Sequence, residues 1–153
     1  MPVLEVDGEM LAQTVAICNY LAREFGLYGK TNMESFQIDQ VVCLVEDFIS
    51  ATVKIIYEKD DAKKAELMQT YKELECPKFM GHFENLLLKN GTGHFVGSEI
   101  TLADIYVYDL MWALHARDAN ILNNFPLVKQ HQDKIGSLPQ IKAYVDARKL
   151  TAI

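Results

Sequence analysis

Cysteine and histidine are the side chains in this sequence with the widest range of chemistry. The cysteines are Cys18, Cys43 and Cys76, an odd number, far apart and without a Cys-x-x-Cys pair. This pattern predicts neither a disulfide framework nor a structural zinc site, and it favours a small apolar helix residue at each position. The histidines are His82, His94, His115 and His131. They lack metal-ligand spacing, so we predict satisfied or exposed histidines and no metal.

Thr101 and Asp104 are two polar residues with the spacing of a helix capping box. Each side chain can satisfy a backbone N–H of the other's turn. The following residues, from Ile105 to Leu114, are apolar on almost every side of a helix. Because a helix that is apolar all round is a buried one, we predict a central helix with other helices packed around it. Replacing Thr101 by Ala should cost about 1 kcal/mol.

The start of the chain has the pattern of a β-hairpin followed by a helix. Asp7-Gly8 is a two-residue hairpin turn signal between segments rich in Val and Leu. From Gln13 the apolar residues recur with helical spacing, and Gly26 is a typical helix stop. We therefore predict two short strands and one helix before a Gly-rich linker.

Beyond the linker, the sequence predicts only helices. Thr31 and Glu34 form a possible second capping box at the start of a long amphipathic helix. Acidic residues near Asp60 suit the N-terminus of the next helix. Pro77 predicts a kink or two short helices, with Phe79, Phe83, Leu86 and Leu87 on the apolar face. Pro126 and Pro139 occupy first helical positions of two closing helices.

Composition excludes several classes of partner. Fifteen basic and 21 acidic residues give a net charge of -6, which repels phosphate backbones and anionic lipid surfaces. Apolar runs are too short to span a bilayer, and the first residues lack the basic and apolar regions of a signal peptide. We expect a cytoplasmic protein that binds neither nucleic acid nor membrane.

Several segments together resemble the glutathione S-transferases, and most closely the sigma class, which includes nematode enzymes and haematopoietic prostaglandin D synthases. The resemblance is carried by residues 2–8 (PVLEVDG), 16–30 (AICNYLAREFGLYGK), 46–50 (EDFIS) and 97–104 (GSEITLAD). It implies a mostly α fold. Residues 31–153 would form the all-helical C-terminal domain, and residues 1–27 the hairpin and helix that end a thioredoxin-like glutathione-binding domain.

The resemblance also implies a missing opening. Members of this family begin with a strand, a helix and a second strand that carry the catalytic Tyr, and this sequence starts after them. We therefore expect a truncated chain with no catalytic residue of its own and weak or no transferase activity. The tyrosines that are present should pack in the core or at its rim.

Three elements of a glutathione site are implied by the same resemblance. The backbone of Met1, joined to Pro2 by a cis peptide, would pair with the cysteinyl part of glutathione. Gln13 and Thr14 would hold the γ-glutamyl carboxylate at a helix start. Asp47 would reach the γ-glutamyl ammonium from a neighbouring subunit. The alternatives are a plain helix cap for Thr14 and a solvent-facing or interface carboxylate for Asp47.

A second-substrate pocket for a small hydrophobic electrophile is also implied. Its lining would be Ile49, Thr52, Val53 and Leu110, although helix faces of this kind are also ordinary core. In prostaglandin D synthases of the class, an acidic cluster at the dimer interface can bind a divalent cation. The matching positions here are Cys43, Glu46 and Asp47, so one acid is lost and no metal is expected.

Two functions follow from the resemblance. The first is a glutathione transferase that conjugates or isomerises small electrophiles and forms a homodimer, which the missing opening should weaken. The second is a non-catalytic ligand-binding or dimerisation module like the related lens crystallins. An unrelated helical interaction domain is a third, which the two separate motifs disfavour.

Overall fold

A computed structural model describes residues 2–148, and these residues form a mostly helical fold with one two-stranded antiparallel sheet. The strands are β1 (Val3–Val6) and β2 (Glu9–Ala12). The helices are α1 (Thr14–Glu24), α2 (Asn32–Tyr57), α3 (Asp61–Thr70), α4 (Cys76–Asn90), α5 (Leu102–Arg117), α6 (Pro126–Gly136) and α7 (Pro139–Ala147). The predicted fold class is confirmed.

The hairpin forms at the predicted turn. Asp7 and Gly8 both have positive φ, 49° and 85°, as a tight two-residue turn between antiparallel strands requires. The pairing of Val3 with Ala12 and of Val6 with Glu9 sets the register. Most hairpin side chains are exposed, and none of those described is fully buried.

Side-chain caps fix where α2 and α3 begin. The Thr31 hydroxyl accepts from the Glu34 backbone N–H at 3.1 Å, as predicted. The second half of the predicted box is wrong, because the Glu34 carboxylate accepts instead from the backbone N–H of Lys30, at 2.7 Å. Asp60 caps α3 by accepting from the Lys63 N–H at 2.9 Å.

The region around Pro77 remains helical. A π-helical turn, Tyr71–Glu75, joins α3 directly to α4, and Pro77 lies in the first turn of α4, where a missing N–H costs little. The apolar face of α4 is as predicted, since Phe83 and Leu87 are buried. The irregularity in this long helical stretch is therefore a π turn rather than a sharp break.

The core is built from α2, α4, α5 and α6. Its largest fully buried side chains are Phe48, Phe83, Ile38, Met80, Met111, Ile135, His131, Val41, Val42, Val45, Val107 and Val128. Helix α5 packs against α1, α2 and α6, which confirms the predicted central helix. Its surface is not buried all round, because Leu110 and Trp112 are only half-buried. In contrast, Ala22 is the only buried residue among residues 2–26.

The two closing helices begin at the predicted prolines. The Glu84 carboxylate of α4 accepts from the backbone N–H groups of Leu127 and Val128, at 3.0 and 2.9 Å. This acid lies at the N-terminus of α6, where the helix dipole favours negative charge. Within residues 2–148, no helix combines the length and apolar character needed to cross a bilayer.

Candidate functional site

The backbone is strained at the start of α1, at the predicted site residue Gln13. Gln13 has φ 76° and ψ 112°, a region that side chains other than glycine rarely adopt. Such a conformation costs about 1–3 kcal/mol and persists only where the surroundings impose it, most often at ligand sites. Gln13 is exposed and directly precedes the helix.

The N-terminus of α1 also lacks a side-chain cap. Gln13 occupies the cap position, and within residues 2–148 its side chain accepts no hydrogen bond from the first-turn N–H groups. Thr14 is the first helical residue, so its alternative role as the helix cap is wrong. Exposed N–H groups at a helix N-terminus, with the helix dipole behind them, form a ready site for a carboxylate.

A polar cluster that the sequence did not predict ties α1 to α2. The Tyr28 hydroxyl donates to Asp39, and the Asn19 amide donates to the same carboxylate oxygen at 3.3 Å. The Arg23 guanidinium lies 4.0 Å from the centroid of the Tyr28 ring. Burial and the Asp39 carboxylate raise the pKa of Tyr28 to about 12. This cluster links α1 to α2, while α1 itself packs against α5 and β2.

Asp47 lies on an exposed part of α2, in a groove of about 630 Å³ between α2 and α4. The groove lining includes Phe36, Cys43 and His82 but neither Gln13 nor Thr14. Cys43 lies on α2, as predicted for a helix residue, and its thiol is free and exposed. Within residues 2–148, no group of three or more His, Cys, Asp or Glu side chains has the arrangement of a metal site.

The predicted second-substrate residues lie on α2 and α5. Ile49 and Val53 are 38% and 39% exposed, so ordinary core packing is wrong for these two. The Thr52 hydroxyl donates to the Phe48 carbonyl at 3.0 Å, and Leu110 is half-buried against the core. None of the four lines the groove that contains Asp47.

A hydrogen-bonded pair at the junction of α2 and α5 was also not predicted from the sequence. The Tyr106 hydroxyl donates to the Glu46 carboxylate at 2.7 Å, and burial together with this carboxylate raises the pKa of Tyr106. Burial, then Glu46 and Asp109, raise the pKa of the nearby Cys18 thiol, which makes it a poor nucleophile. Tyr106 and Glu46 are 60 positions apart in the sequence, and only the packing of α2 against α5 brings them together.

Asp104 forms the predicted capping pair and does more. Its buried carboxylate accepts from the backbone N–H of Thr101 at 2.8 Å, from that of Phe95 at 3.0 Å and from His131 at 3.0 Å. Burial raises the pKa of Asp104, but the hydrogen bonds from His131, Phe95 and Thr101 outweigh it and hold the pKa below its usual value. The His94 ring also lies 3.4 Å away. The carboxylate therefore joins α5 to α6 and to the loop before α5.

The prediction of satisfied or exposed histidines is confirmed for His82 and His115, which are exposed. His94 and His131 are buried. Nδ1 of His131 is buried and has no hydrogen-bond partner among residues 2–148. Met1 lies outside the described residues, so its backbone pairing and its cis bond to Pro2 stay predictions.

Comparison with known proteins identifies the class. The family described as glutathione S-transferase, C-terminal domain, matches residues 46–148. A glutathione S-transferase of Plasmodium yoelii yoelii is 37% identical over 150 residues, which are 97% of this chain and 68% of that relative. The chain belongs to the glutathione S-transferase family.

Solved structures agree with the sequence comparison. The structure of prostaglandin synthase D of Nilaparvata lugens has a TM-score of 0.91 and 30% identity, and the match covers 99% of this chain and 75% of that one. Monomeric Na-GST-3, a glutathione S-transferase of the hookworm Necator americanus, has a TM-score of 0.88 and 30% identity, with coverages of 100% and 76%.

Proposed function

We propose that this protein binds glutathione at the start of α1 and acts in its conjugation to small electrophiles, or in glutathione-dependent isomerisation. The observation that carries the proposal is the strained Gln13 beside an uncapped, exposed helix N-terminus in a member of this family. The backbone N–H groups of the first turn, with Thr14, bind the γ-glutamyl carboxylate. Strain at Gln13 keeps these groups facing the ligand.

The chemistry requires a thiol that is ionised near neutral pH, which the family achieves with a Tyr hydroxyl. Neither Tyr28 nor Tyr106 suits this role, because each hydroxyl already donates to a carboxylate and has a raised pKa. We propose that the thiol is activated by a segment that precedes residue 2 in the functional protein. Met1 pairs with the cysteinyl part of glutathione at the end of that segment.

We further propose a sigma-type arrangement of two domains, residues 1–27 and 31–153, with the second electrophilic substrate on α2 and α5. The exposed apolar side chains of Ile49 and Val53 support this position, because they offer a surface to a hydrophobic molecule. Leu110 and the methyl group of Thr52 complete the wall. No metal takes part in this mechanism.

A homodimer accounts for the position of Asp47. This carboxylate lies in the α2–α4 groove, whose lining does not include the start of α1. We propose that it binds the γ-glutamyl ammonium of glutathione held by a second copy of the chain. The exposed side chain of Phe36, 62% accessible in the same groove, supplies apolar surface for that contact. The free thiols of all three cysteines support a reducing, cytosolic location.

Calorimetric titration with glutathione tests the proposal. Gln13→Ala together with Thr14→Ala should weaken binding about tenfold or more, because the carboxylate loses charge-assisted contacts at the helix start. Gln37→Ala, at an exposed position of α2, should bind as the parent does. Equal affinity of the double variant and the parent would contradict the site. Glutathione binding without turnover of an aryl halide, in a protein that includes the preceding segment, would favour the non-catalytic module.

A further inference from the structure

The loop between α4 and α5 is attached to α6 by one lysine side chain. The Lys134 ammonium donates to Nε2 of His94 at 2.8 Å and lies 3.4 Å from the carbonyl oxygens of Thr92 and Gly93. The lysine lies so close to the loop that a Cβ added at Gly93 would come within 3.2 Å of Nζ. These interactions, which we call the Lys134 contacts, share no residue with the start of α1.

The Lys134 contacts define which nitrogen of the His94 ring carries the proton. An ammonium group only donates, so Nε2 is the acceptor, and in the neutral ring the proton is on Nδ1. Nδ1 is buried 3.4 Å from Oδ2 of Asp104 and forms no hydrogen bond among residues 2–148. A ring that carries a proton on both nitrogens has no lone pair for Lys134, so the bond to Nε2 requires neutral His94.

The charged groups that face the His94 ring come from α5 and α6. Lys134 of α6 lies at Nε2, and Asp104 of α5 lies on the Nδ1 side, where its other oxygen is bonded to His131. From α4, the Asn90 amide donates to the His94 carbonyl at 2.8 Å. Among residues 2–148, no charged side chain of α4 is paired with His94. A second ring proton therefore meets an ammonium group at Nε2.

Lys134 is the partner that can move when His94 gains this proton. The Asp104 carboxylate is fully buried and is held by the backbone N–H groups of Phe95 and Thr101. Lys134 is exposed, and its flexible chain can carry the ammonium into water. Its remaining acceptors are two carbonyl oxygens at 3.4 Å, longer than an ordinary hydrogen bond.

We infer that the Lys134 contacts form a pH-sensitive attachment of the loop to α6, closed when His94 is neutral and open when His94 is protonated. Histidine is the side chain that ordinarily changes charge between about pH 5 and 8. On acidification, a proton from water occupies Nε2, the Lys134 ammonium moves into solvent, and the charged ring pairs with Asp104. Residues 91–97 then lose this attachment to α6.

The test is NMR of the isotope-labelled chain at about pH 7.5 and about pH 5.5, where an ordinary histidine is mostly neutral and mostly charged. Ring ¹⁵N shifts report the protonation of His94, and nuclear Overhauser contacts from Lys134 to Gly93 report the attachment. We expect these contacts at the higher pH and their loss at the lower pH, together with a second ring proton. Asp104 is still ionised at the lower pH because its pKa is lowered, so its own titration does not interfere.

Variants make the test specific. His94→Gln keeps an acceptor for Lys134 but cannot gain a proton, so the contacts with Gly93 should persist at both pH values. His82→Gln, at an exposed position of α4, should lose them at the lower pH as the parent does. Lys134→Met serves if His94→Gln unfolds. Its side chain carries no charge, so its contacts with Gly93 should be the same at both pH values.

Three results would overturn the inference. The first is a contact between Lys134 and Gly93 that persists while His94 is doubly protonated. The second is a His94 ring whose protonation does not change between the two pH values. The third is a loss of the contacts with Gly93 at the lower pH in His94→Gln or in Lys134→Met.

Discussion

The hairpin and α1 differ from the helices α2, α4, α5 and α6 in how they are held. In residues 2–26 only Ala22 is buried, whereas the four helices contain all of the largest fully buried side chains. The strained Gln13 lies in the first region, at the start of α1. Stability and the proposed ligand binding therefore reside in different parts of the molecule, and substitutions should affect them separately.

The largest difference in the loss of unfolding free energy is expected between two apolar substitutions, one in the core and one in the hairpin. Phe83→Ala removes a fully buried ring that packs edge-on against Phe95 and should lower the free energy of unfolding by about 3–5 kcal/mol. Leu4→Ala, at a half-buried position of the mostly exposed hairpin, should lower it by less than about 1 kcal/mol. Urea denaturation measures both. Equal losses would mean that the hairpin is part of the same core.

The loss of a buried carboxylate and the loss of an exposed one should differ in the same way. Asp104→Ala leaves the N–H groups of Phe95 and Thr101 and the ring of His131 without their acceptor, and should cost about 3 kcal/mol. Asp133→Ala breaks only an exposed pair with Lys129 and should cost less than about 0.5 kcal/mol. A loss for Asp104→Ala as small as that of the control would show that the cluster does not support the fold.

The same carboxylate predicts an acid dependence. Its pKa is lowered in the folded state, so its contribution is complete above the unfolded value of about 3.9 and is lost as the pH falls through the folded pKa. We expect the free energy of unfolding to fall below about pH 4. Asparagine cannot titrate, so the free energy of unfolding of the Asp104→Asn variant should fall less steeply over that range. Parallel curves for the two proteins would contradict the assignment.

The smallest effect concerns the backbone strain at the start of α1. Gln13→Gly should raise the free energy of unfolding by about 1 kcal/mol, because glycine adopts positive φ without strain. Gln37→Gly, within α2, should lower it by about 1 kcal/mol. Opposite signs at these two positions, measured by thermal unfolding, would confirm that the strain is local to Gln13. A loss at Gln13 would contradict it.

Local sequence signals predicted most of the elements. Asp7-Gly8 specifies a turn, Thr31 a cap and Pro126 a helix start, because each acts on its own backbone within a few residues. Glu34 shows the limit, since its carboxylate had two N–H groups within reach and the linker geometry selected that of Lys30.

The contacts that complete the sites were not predictable in the same way. Tyr106 with Glu46 and His131 with Asp104 are pairs 60 and 27 residues apart, which only the packing of helices brings together. The positive φ of Gln13 has no signal in its residue type, since glutamine does not favour that conformation. The family resemblance identified Gln13 as a candidate but not the strain in its backbone.

The central claim is that glutathione binds at the strained start of α1 while the helical core supplies stability. The most direct test is a glutathione titration of the isotope-labelled chain, in which the backbone amides are followed by NMR. The account predicts saturable shifts of Thr14, Val15 and Ala16, with the amides inside α4 and α6 unchanged. Saturable shifts confined to other regions, or none at all at the start of α1, would contradict it.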